Sequence, residues 1–231
     1  MSRISDTRNP AALTRHCGTA DTGTLREAIV LLGPTGAGKT PLGDCLEHHG
    51  WNKQRCRHFD FGEHLRLIDG GRLHVCELTS ADRATIRRLL RDGVLLEDRQ
   101  FHIAAAILRD FIRRRVRPGT LVILNGLPRH IGQARKISRL LRITQIIALT
   151  CTPAVTATRI RANSGGDRAG RSDDSCAAIA RKLQWYRRRT KPLLDYYRTL
   201  GIPIRTIRIT AATTPAQILH MKRRNPTHDH P

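Results

Sequence analysis

The stretch G-P-T-G-A-G-K-T, residues 33–40, decides the fold of this protein. It follows the apolar run A-I-V-L-L at 28–32 and precedes a segment that can form a helix. A strand, a glycine-rich loop ending in Lys-Thr and a helix, in this order, are typical of a phosphate-binding P-loop. A glycine-rich turn that only caps a helix is the alternative, and the strand in front of the loop favours the P-loop.

Each residue type in this loop has a physical role. Gly33, Gly36 and Gly38 allow backbone conformations that are closed to residues with a side chain. The loop can therefore curl so that its N–H groups converge on a phosphate, which the positive end of the following helix also attracts. Lys39 can bring a charge to the outer phosphates, and Thr40 can offer its hydroxyl to Mg²⁺.

The composition fits a single globular domain with a core of mostly Leu, Ile, Val and Ala. The chain has 231 residues, of which 39% are hydrophobic and 4% aromatic. Its apolar runs are shorter than the roughly 20 residues that span a bilayer, and its N-terminus lacks the apolar segment of a secretory signal. We therefore predict a cytoplasmic protein without a membrane partner, and we expect a monomer.

The cysteines and histidines do not follow a metal-binding pattern. The six cysteines form no C-x-x-C pair, and the eleven histidines form no H-E-x-x-H motif. We therefore interpret the cysteines as reduced thiols that pack as small hydrophobic side chains.

The chain is strongly basic, with a formal net charge of +22. Only six of its 41 basic residues are lysine, so 35 are arginine. A phosphate site explains a few arginines in a cleft, whereas the others could bind a polyanion or form a solvated basic face. Aromatic residues for a stacking platform are scarce, so nucleic-acid contact is a secondary hypothesis.

Apolar runs alternate with helical patterns along the chain. We predict strands near 28–32, 58–61, 120–124, 145–149 and 205–209, and helices near 39–49, 62–69, 80–92, 98–116, 154–162, 174–200 and from 214 onward. This alternation predicts a parallel sheet with helices on both faces and ligands at the carboxyl ends of its strands. Pro192 is expected to kink the long helix, and Asp173 or Asp174 to cap its start.

A second motif, N-G-L-P-R at 125–129, follows the third apolar run, again at the carboxyl end of a strand. Arg129 could bind phosphate oxygens bidentately from this position. Gln133 could read the edge of a base with one donor and one acceptor. Taken alone, Arg129 could equally be a surface residue of a turn.

Six motifs in this order resemble those of the adenylate kinases and the related short-lid nucleoside monophosphate kinases. Besides the P-loop they are F-G-E-H-L-R at 61–66, D-G-V-L-L at 92–96, the segment 125–133, G-R-S-D-D at 170–174 and T-K-P-L-L-D-Y-Y at 190–197. The resemblance covers residues 28–219.

The resemblance implies an α/β fold of the P-loop NTPase type, with three α/β/α layers and a five-stranded parallel sheet. It implies one kinase domain at 27–221, with a helical monophosphate-binding insertion at about 58–96 and a short lid at about 159–172. We expect residues 1–26 to form a disordered or loosely attached arm and residues 222–231 a frayed tail. Because the short lid contains no cysteine, we expect no structural zinc.

The implied reaction is transfer of the γ-phosphoryl group of ATP to a nucleoside monophosphate, with AMP as the preferred acceptor and Mg²⁺ as the cofactor. In the donor site the resemblance assigns the phosphates to Lys39 and the loop amides, and Mg²⁺ to Thr40 with Asn125 near it. It assigns the donor adenine to Arg159, which would pack on the base.

For the acceptor, the resemblance assigns the phosphate to Arg66 and Arg129, and the base to the region of Phe61, Leu96 and Gln133. Two further cations complete the implied catalytic set. Arg171 would reach the transferring group when the lid closes, and Lys182 would do so from the following helix.

This chain departs from the family pattern at several of these positions. Asn125 stands where the family has an Asp that orients water on Mg²⁺, so the shape is kept and the charge is lost. Thr40 supplies its hydroxyl one position earlier than is usual, and Phe61 replaces a Thr near the acceptor base. Lys182 replaces an Arg and lacks its bidentate fork, which the neighbouring Arg181 could supply after a small rotation.

Two alternatives stay open from the sequence. The chain could be a P-loop kinase with another small acceptor, either CMP or UMP or a molecule that is not a nucleotide. It could also be a weakly catalytic nucleotide-binding protein whose basic surface binds nucleic acid.

Overall fold

A computed structural model of the protein describes residues 25–166 and 175–223. Within them, the strands are β1 (Arg26–Leu32), β2 (Cys56–Asp60), β3 (Leu121–Asn125), β4 (Leu141–Thr150) and β5 (Ile204–Arg208). They form one sheet in the order β2-β3-β1-β4-β5, and every neighbouring pair is parallel. The prediction of a five-stranded parallel sheet is confirmed.

The sheet is buried on both faces, as β1 illustrates. Ala28, Val30 and Leu32 belong to one hydrophobic cluster, and Ile29 and Leu31 belong to a second cluster on the opposite face. Successive side chains of a strand point to opposite faces, so a strand covered on both sides needs a continuous apolar run. This requirement explains why the run before the P-loop has no polar residue.

Helices cover both faces. In the described residues they are α1 (Lys39–His49), α2 (Phe61–Asp69), α3 (Ser80–Asp92), α4 (Phe101–Arg115), α5 (Ile131–Ile137), α6 (Pro153–Arg161), α7 (Cys176–Trp185), α8 (Leu193–Thr199) and α9 (Pro215–Arg223). Leu42 and Leu46 of α1 and Ile218 of α9 pack in the cluster that contains Ile29. The buried apolar residues of α2, α3, α4, α5 and α8 pack in the cluster on the other face.

The helix predicted at 174–200 with a kink at Pro192 is interrupted at that proline: a π-helical segment, Tyr186–Thr190, follows α7, and α8 begins at Leu193. There the N–H of Lys191 donates to the carbonyl of Tyr186, 2.8 Å away and five residues earlier. Pro192 has no N–H to donate and its ring clashes with the preceding turn, so the regular helical ladder cannot run through it.

The predicted cap of α7 is wrong. The side chain of Ser175 accepts a hydrogen bond from the N–H of Ala178 at 3.2 Å, so Ser175 is the N-cap. Asp173 and Asp174 lie outside the described residues. Serine caps a helix about as well as aspartate does, so residue type did not distinguish Ser175 from the two aspartates before it.

Strand β4 begins four residues before the predicted start, and α5 was not predicted at all. A bulge explains the first difference: Ala28 pairs with Ile143 and Ile29 with Gln145, which leaves Thr144 as an extra residue. An extra residue breaks the alternation of a strand and hides its beginning. The α5 segment is short and mixes polar with apolar residues, so it has no clear period.

The predicted N-terminal arm and C-terminal tail lie largely outside the described residues. The arm at 1–26 is described only for its last two residues, since β1 begins at Arg26, and α9 reaches Arg223 in the predicted tail. None of the helices in the described ranges is long and apolar enough to cross a membrane.

Helix α3 begins with a capping box. The hydroxyl of Thr79 accepts from the N–H of Asp82 at 3.1 Å, and the Asp82 carboxylate accepts from the N–H of Thr79 at 3.0 Å. Replacing Thr79 with alanine is therefore expected to lower the free energy of unfolding by about 1 kcal/mol. Urea denaturation measures this change, and Thr79→Ser should retain most of the stability because it keeps the hydroxyl. Equal stability of Thr79→Ala and the unmodified protein would contradict the assignment.

Candidate active site

A cavity lies at the carboxyl ends of β1, β2 and β3, where parallel sheets bind their ligands. The P-loop, the start of α2, the segment after α3, the loop after β3 and helix α7 all contribute to its wall. Most of the residues predicted for the site line this cavity: Gly36, Gly38, Lys39, Thr40, Phe61, Arg66, Leu96, Asn125, Arg129, Gln133, Arg159 and Lys182. Gly33 lies at the base of the P-loop, and Arg171 lies outside the described residues.

The P-loop takes a backbone shape that depends on its glycines. Gly36 has φ 76° and Gly38 has φ 89°, both in the left-handed region that residues with a side chain seldom adopt. A Cβ at Gly36 would also lie only 2.8 Å from Cγ1 of Ile160. The ammonium of Lys39 donates to the carbonyls of Gly33 at 2.8 Å and Pro34 at 2.7 Å, so it lies across the loop that would receive the phosphates.

Arg159 is held beside the P-loop by backbone carbonyls. Its Nε donates to Gly36 at 3.2 Å, and its Nη1 donates to the carbonyls of Thr210 and Thr213 at 3.0 and 2.9 Å. The side chain is buried, and its other guanidinium nitrogen faces Gly38. The loop between β5 and α9 therefore fixes this guanidinium on the P-loop side of the cavity.

Arg129 and Gln133 are tied together on the side of the cavity formed after β3. The Arg129 N–H donates to Oε1 of Gln133 at 2.8 Å, and the Arg129 Nε donates to the carbonyl of Gly126 at 2.8 Å. Nε2 of Gln133 donates to the carbonyl of Leu96 at 2.7 Å. These bonds leave the buried Gln133 amide with one N–H and one oxygen lone pair in a fixed orientation.

Burial lowers the pKa of the Arg129 guanidinium, and the negative charge of Asp60 opposes that effect. An arginine keeps its charge at neutral pH even after such a shift. A partly desolvated cation that faces a cavity is suited to bind an anionic phosphate.

Phe61 and Arg66 reach the cavity from α2, one at its start and the other a turn later. The Phe61 ring is buried and stacks on Phe59 with a centroid separation of 6.4 Å. Phe61 is therefore a fixed apolar part of the wall, whereas the half-buried Arg66 can turn its charge toward a ligand.

Helix α7 and the π-helical segment close another side of the cavity. Lys182, Trp185, Tyr186 and Thr190 line it, and the Thr190 hydroxyl donates to the carbonyl of Arg129 at 3.0 Å. Arg181 is exposed and does not belong to the lining. Of the two neighbouring cations considered from the sequence, the structure therefore places Lys182 at the site.

Two further groups, one next to the cavity and one in its wall, were missed by the sequence analysis. The Glu97 carboxylate accepts from both terminal nitrogens of Arg189, at 2.7 and 2.9 Å. This bidentate pair joins the segment that carries Leu96 to the π-helical segment. No local sequence signal indicated it, because 92 residues separate the partners.

The second missed group, Asp60, is the last residue of β2 and lies opposite Asn125, the last residue of β3. Its Oδ2 accepts from the Thr40 hydroxyl at 2.7 Å and from Nδ2 of Asn125 at 2.8 Å. Its Oδ1 accepts from the N–H of Glu63 at 3.0 Å. A signal did exist, because Asp60 ends β2 as Asn125 ends β3, and parallel strands bring such ends to one edge.

Asp60 is ionised despite its burial. Burial by itself would raise the pKa of the Asp60 carboxyl, but several interactions outweigh it. Hydrogen bonds from the Thr40 hydroxyl and the Glu63 N–H, together with the charges of His58 and Arg66, hold the pKa below its usual range. A negative charge is therefore present next to the P-loop at neutral pH.

The donor atoms at this point fit a magnesium ion. Mg²⁺ prefers oxygen ligands and is bound through one or two protein groups together with substrate phosphates and water. The Thr40 hydroxyl and the Asp60 carboxylate supply such oxygens beside the P-loop. Asn125 lies against both, with its Nδ2 2.8 Å from Asp60 and 3.1 Å from the Thr40 hydroxyl.

Curated proteins resemble this chain over most of its length. It is 32% identical to an adenylate kinase of Deinococcus deserti over 189 residues, which are 78% of this chain and 88% of that protein. It is 29% identical to an adenylate kinase of a Synechococcus species over 78% of this chain and 89% of that protein. For an adenylate kinase of Thermus thermophilus the identity is 28%, with coverage of 76% and 86%. No protein-family model matches the chain.

Proposed function

This chain belongs to the adenylate kinase family and is a nucleotide kinase, and we propose that it transfers the γ-phosphoryl group of ATP to AMP and so forms two molecules of ADP. One observation carries the proposal: a single cavity contains both the P-loop lysine and the Arg129–Gln133 pair. A donor phosphate at Lys39 and an acceptor phosphate at Arg129 would then face each other across it.

The proposed chemistry asks the protein mainly to position and neutralise phosphates. Phosphoryl transfer needs the attacking and leaving oxygens in line, water excluded and the charge on the transferring group balanced. In our proposal Lys39 and the loop amides bind the donor, and Arg66 and Arg129 bind the acceptor phosphate. Lys182 approaches the transferring group from α7.

The fit to Mg²⁺ supports Thr40, through its hydroxyl oxygen, as the residue that would bind the ion, with Asn125 beside it. Bound with ATP, the ion would neutralise charge on the phosphate oxygens. On the donor side, the hydrogen bonds that hold Arg159 beside the P-loop support the proposal that it packs on the adenine. The Arg171 role that the resemblance implies stays a prediction.

The environment of Gln133 supports adenine as the acceptor base. The 6-amino group and N1 of adenine are a donor beside an acceptor, which a side-chain amide complements. The Leu96 carbonyl and the Arg129 N–H prevent this amide from rotating freely, so it presents its remaining donor and acceptor in one order. A fixed order favours one purine over the other, since guanine carries an acceptor beside a donor at these positions.

The experiment that tests the proposal measures nucleoside diphosphate formation from ATP and Mg²⁺ with AMP, CMP, UMP, GMP and dTMP in parallel. We expect kcat/KM for AMP to exceed that for every other acceptor by at least about tenfold, because a mismatched base leaves the Gln133 amide unpaired. A preference for CMP or UMP would retain the kinase and change its acceptor. No turnover with any monophosphate, despite ATP binding, would contradict the proposal.

A further inference from the structure

The ends of three neighbouring strands place one carboxylate, one hydroxyl and one amide in mutual contact. Asp60 of β2 pairs in register with Asn125 of β3, and β1 leads into the P-loop that carries Thr40. We propose that Asp60 is the residue that positions Thr40 for Mg²⁺ and supplies the negative charge of the cation site. The resemblance assigns this charge to position 125, where this chain has Asn. The inference rests on the proposed function, because it assumes an ATP–Mg²⁺ complex at the P-loop.

The hydrogen bonds of Thr40 direct its hydroxyl toward a cation. A threonine hydroxyl has one hydrogen and two lone pairs. The hydrogen is donated to Oδ2 of Asp60 at 2.7 Å, and one lone pair accepts from Nδ2 of Asn125 at 3.1 Å. One lone pair is left, and the carboxylate prevents the hydroxyl from turning its hydrogen toward the cation.

The Asn at position 125 is explained by the Asp at position 60. Nδ2 of Asn125 lies 2.8 Å from Oδ2 of Asp60 and donates to it. A carboxylate at position 125 would bring a second negative oxygen to this distance, and two such groups do not both ionise easily. The site therefore holds one charge, placed one strand away from the position that the family pattern uses.

Helix capping alone does not account for Asp60. It is the N-cap of α2, but only Oδ1 serves that purpose by accepting from Glu63. Oδ2 makes its bonds to Thr40 and Asn125 and has no part in the cap. Asn caps a helix about as well as Asp, so Asp60→Asn removes the charge while it retains the cap.

The test measures binding of a non-hydrolysable ATP analogue by calorimetry, with Mg²⁺ and with EDTA in its place. The quantity compared is the dissociation constant in EDTA divided by the dissociation constant with Mg²⁺. This ratio reports how much Mg²⁺ strengthens the binding of the nucleotide. We expect Asp60→Asn to lower this ratio about tenfold, as the loss of a residue that orients a metal ligand does. The swap Asp60→Asn with Asn125→Asp should recover the ratio, because the charge returns on the neighbouring strand.

The control is Asp69→Asn. It removes an exposed carboxylate at the far end of α2 and should leave the ratio unchanged.

The outcomes separate this inference from the proposed function. An unchanged ratio in Asp60→Asn, or no recovery in the swap, would overturn the inference and leave the kinase proposal standing. Failure of the unmodified protein to bind the analogue would overturn both. If Asp60→Asn does not fold, Asn125→Asp decides instead: a second carboxylate should raise the ratio, because the cation relieves the repulsion, and an unchanged ratio would refute the inference.

Discussion

Replacing Lys39 with methionine is expected to lower kcat/KM for AMP phosphorylation by about 10³-fold, the cost of removing one preorganised donor to a developing charge. Methionine has a similar length and leaves the P-loop backbone intact, so the loss reports the ammonium alone. In the structure that ammonium is held by the carbonyls of Gly33 and Pro34, at the mouth of the loop. We expect kcat to fall more than KM rises, because the charge on the transferring group is largest in the transition state.

A coupled assay of ADP formation measures this loss, with circular dichroism to verify the fold. The matched control is Lys53→Met. Lys53 is exposed and lies before β2, so it is at the opposite edge of the sheet from the cavity. The control should retain the full rate. A near-normal rate in Lys39→Met would remove Lys39 from the role proposed for it.

The second large effect is expected at Arg129. Arg129→Ala should lower kcat/KM for AMP by about 10³-fold, in the range found when an arginine that neutralises a phosphoryl group is lost. The guanidinium is fixed by the Gly126 carbonyl, and the charge of Asp60 helps to retain its proton. Arg129→Lys should recover only part of the rate, since lysine keeps the charge and lacks the bidentate fork.

This prediction is specific to the acceptor side of the cavity. Affinity for an ATP analogue should change little in Arg129→Ala, because the P-loop and Arg159 are untouched. The control is Arg135→Ala, which removes an exposed arginine of the neighbouring helix α5. An equal loss of ATP-analogue affinity and of AMP turnover would mean that Arg129 supports the whole cavity and not the acceptor phosphate.

The P-loop was predictable because its signals are local. Strand, loop and helix follow one another without interruption, and the glycines at 36 and 38 are needed for the backbone of the loop itself. The parallel sheet was predictable for a related reason, since alternating strands and helices leave few other arrangements. Arg129 and Gln133 lie in one short segment, so a single motif predicted both as site residues.

Other features depend on contacts that local patterns do not encode. Arg159 is held by carbonyls more than fifty residues away, and Glu97 meets Arg189 across 92 residues. The π-helical segment depends on how the turn before Pro192 accommodates a missing N–H, and the beginning of β4 depends on a bulge opposite β1. Each of these features depends on the residue, turn or strand that it contacts. The residue types of the segment alone therefore did not predict it.

The sequence by itself determined the fold class, the phosphate loop and the family, because these follow from short segments whose backbone conformation and spacing are set locally. Only the tertiary structure decided that Asp60 joins Thr40 and Asn125, which are 20 and 65 residues away from it. Their contact requires three strands to end together, and that alignment comes from the parallel register and from the packing of two hydrophobic clusters. The sequence shows that position 125 lacks the carboxylate of the family pattern. Only the folded sheet shows that Asp60, on the neighbouring strand, brings a carboxylate to the same place.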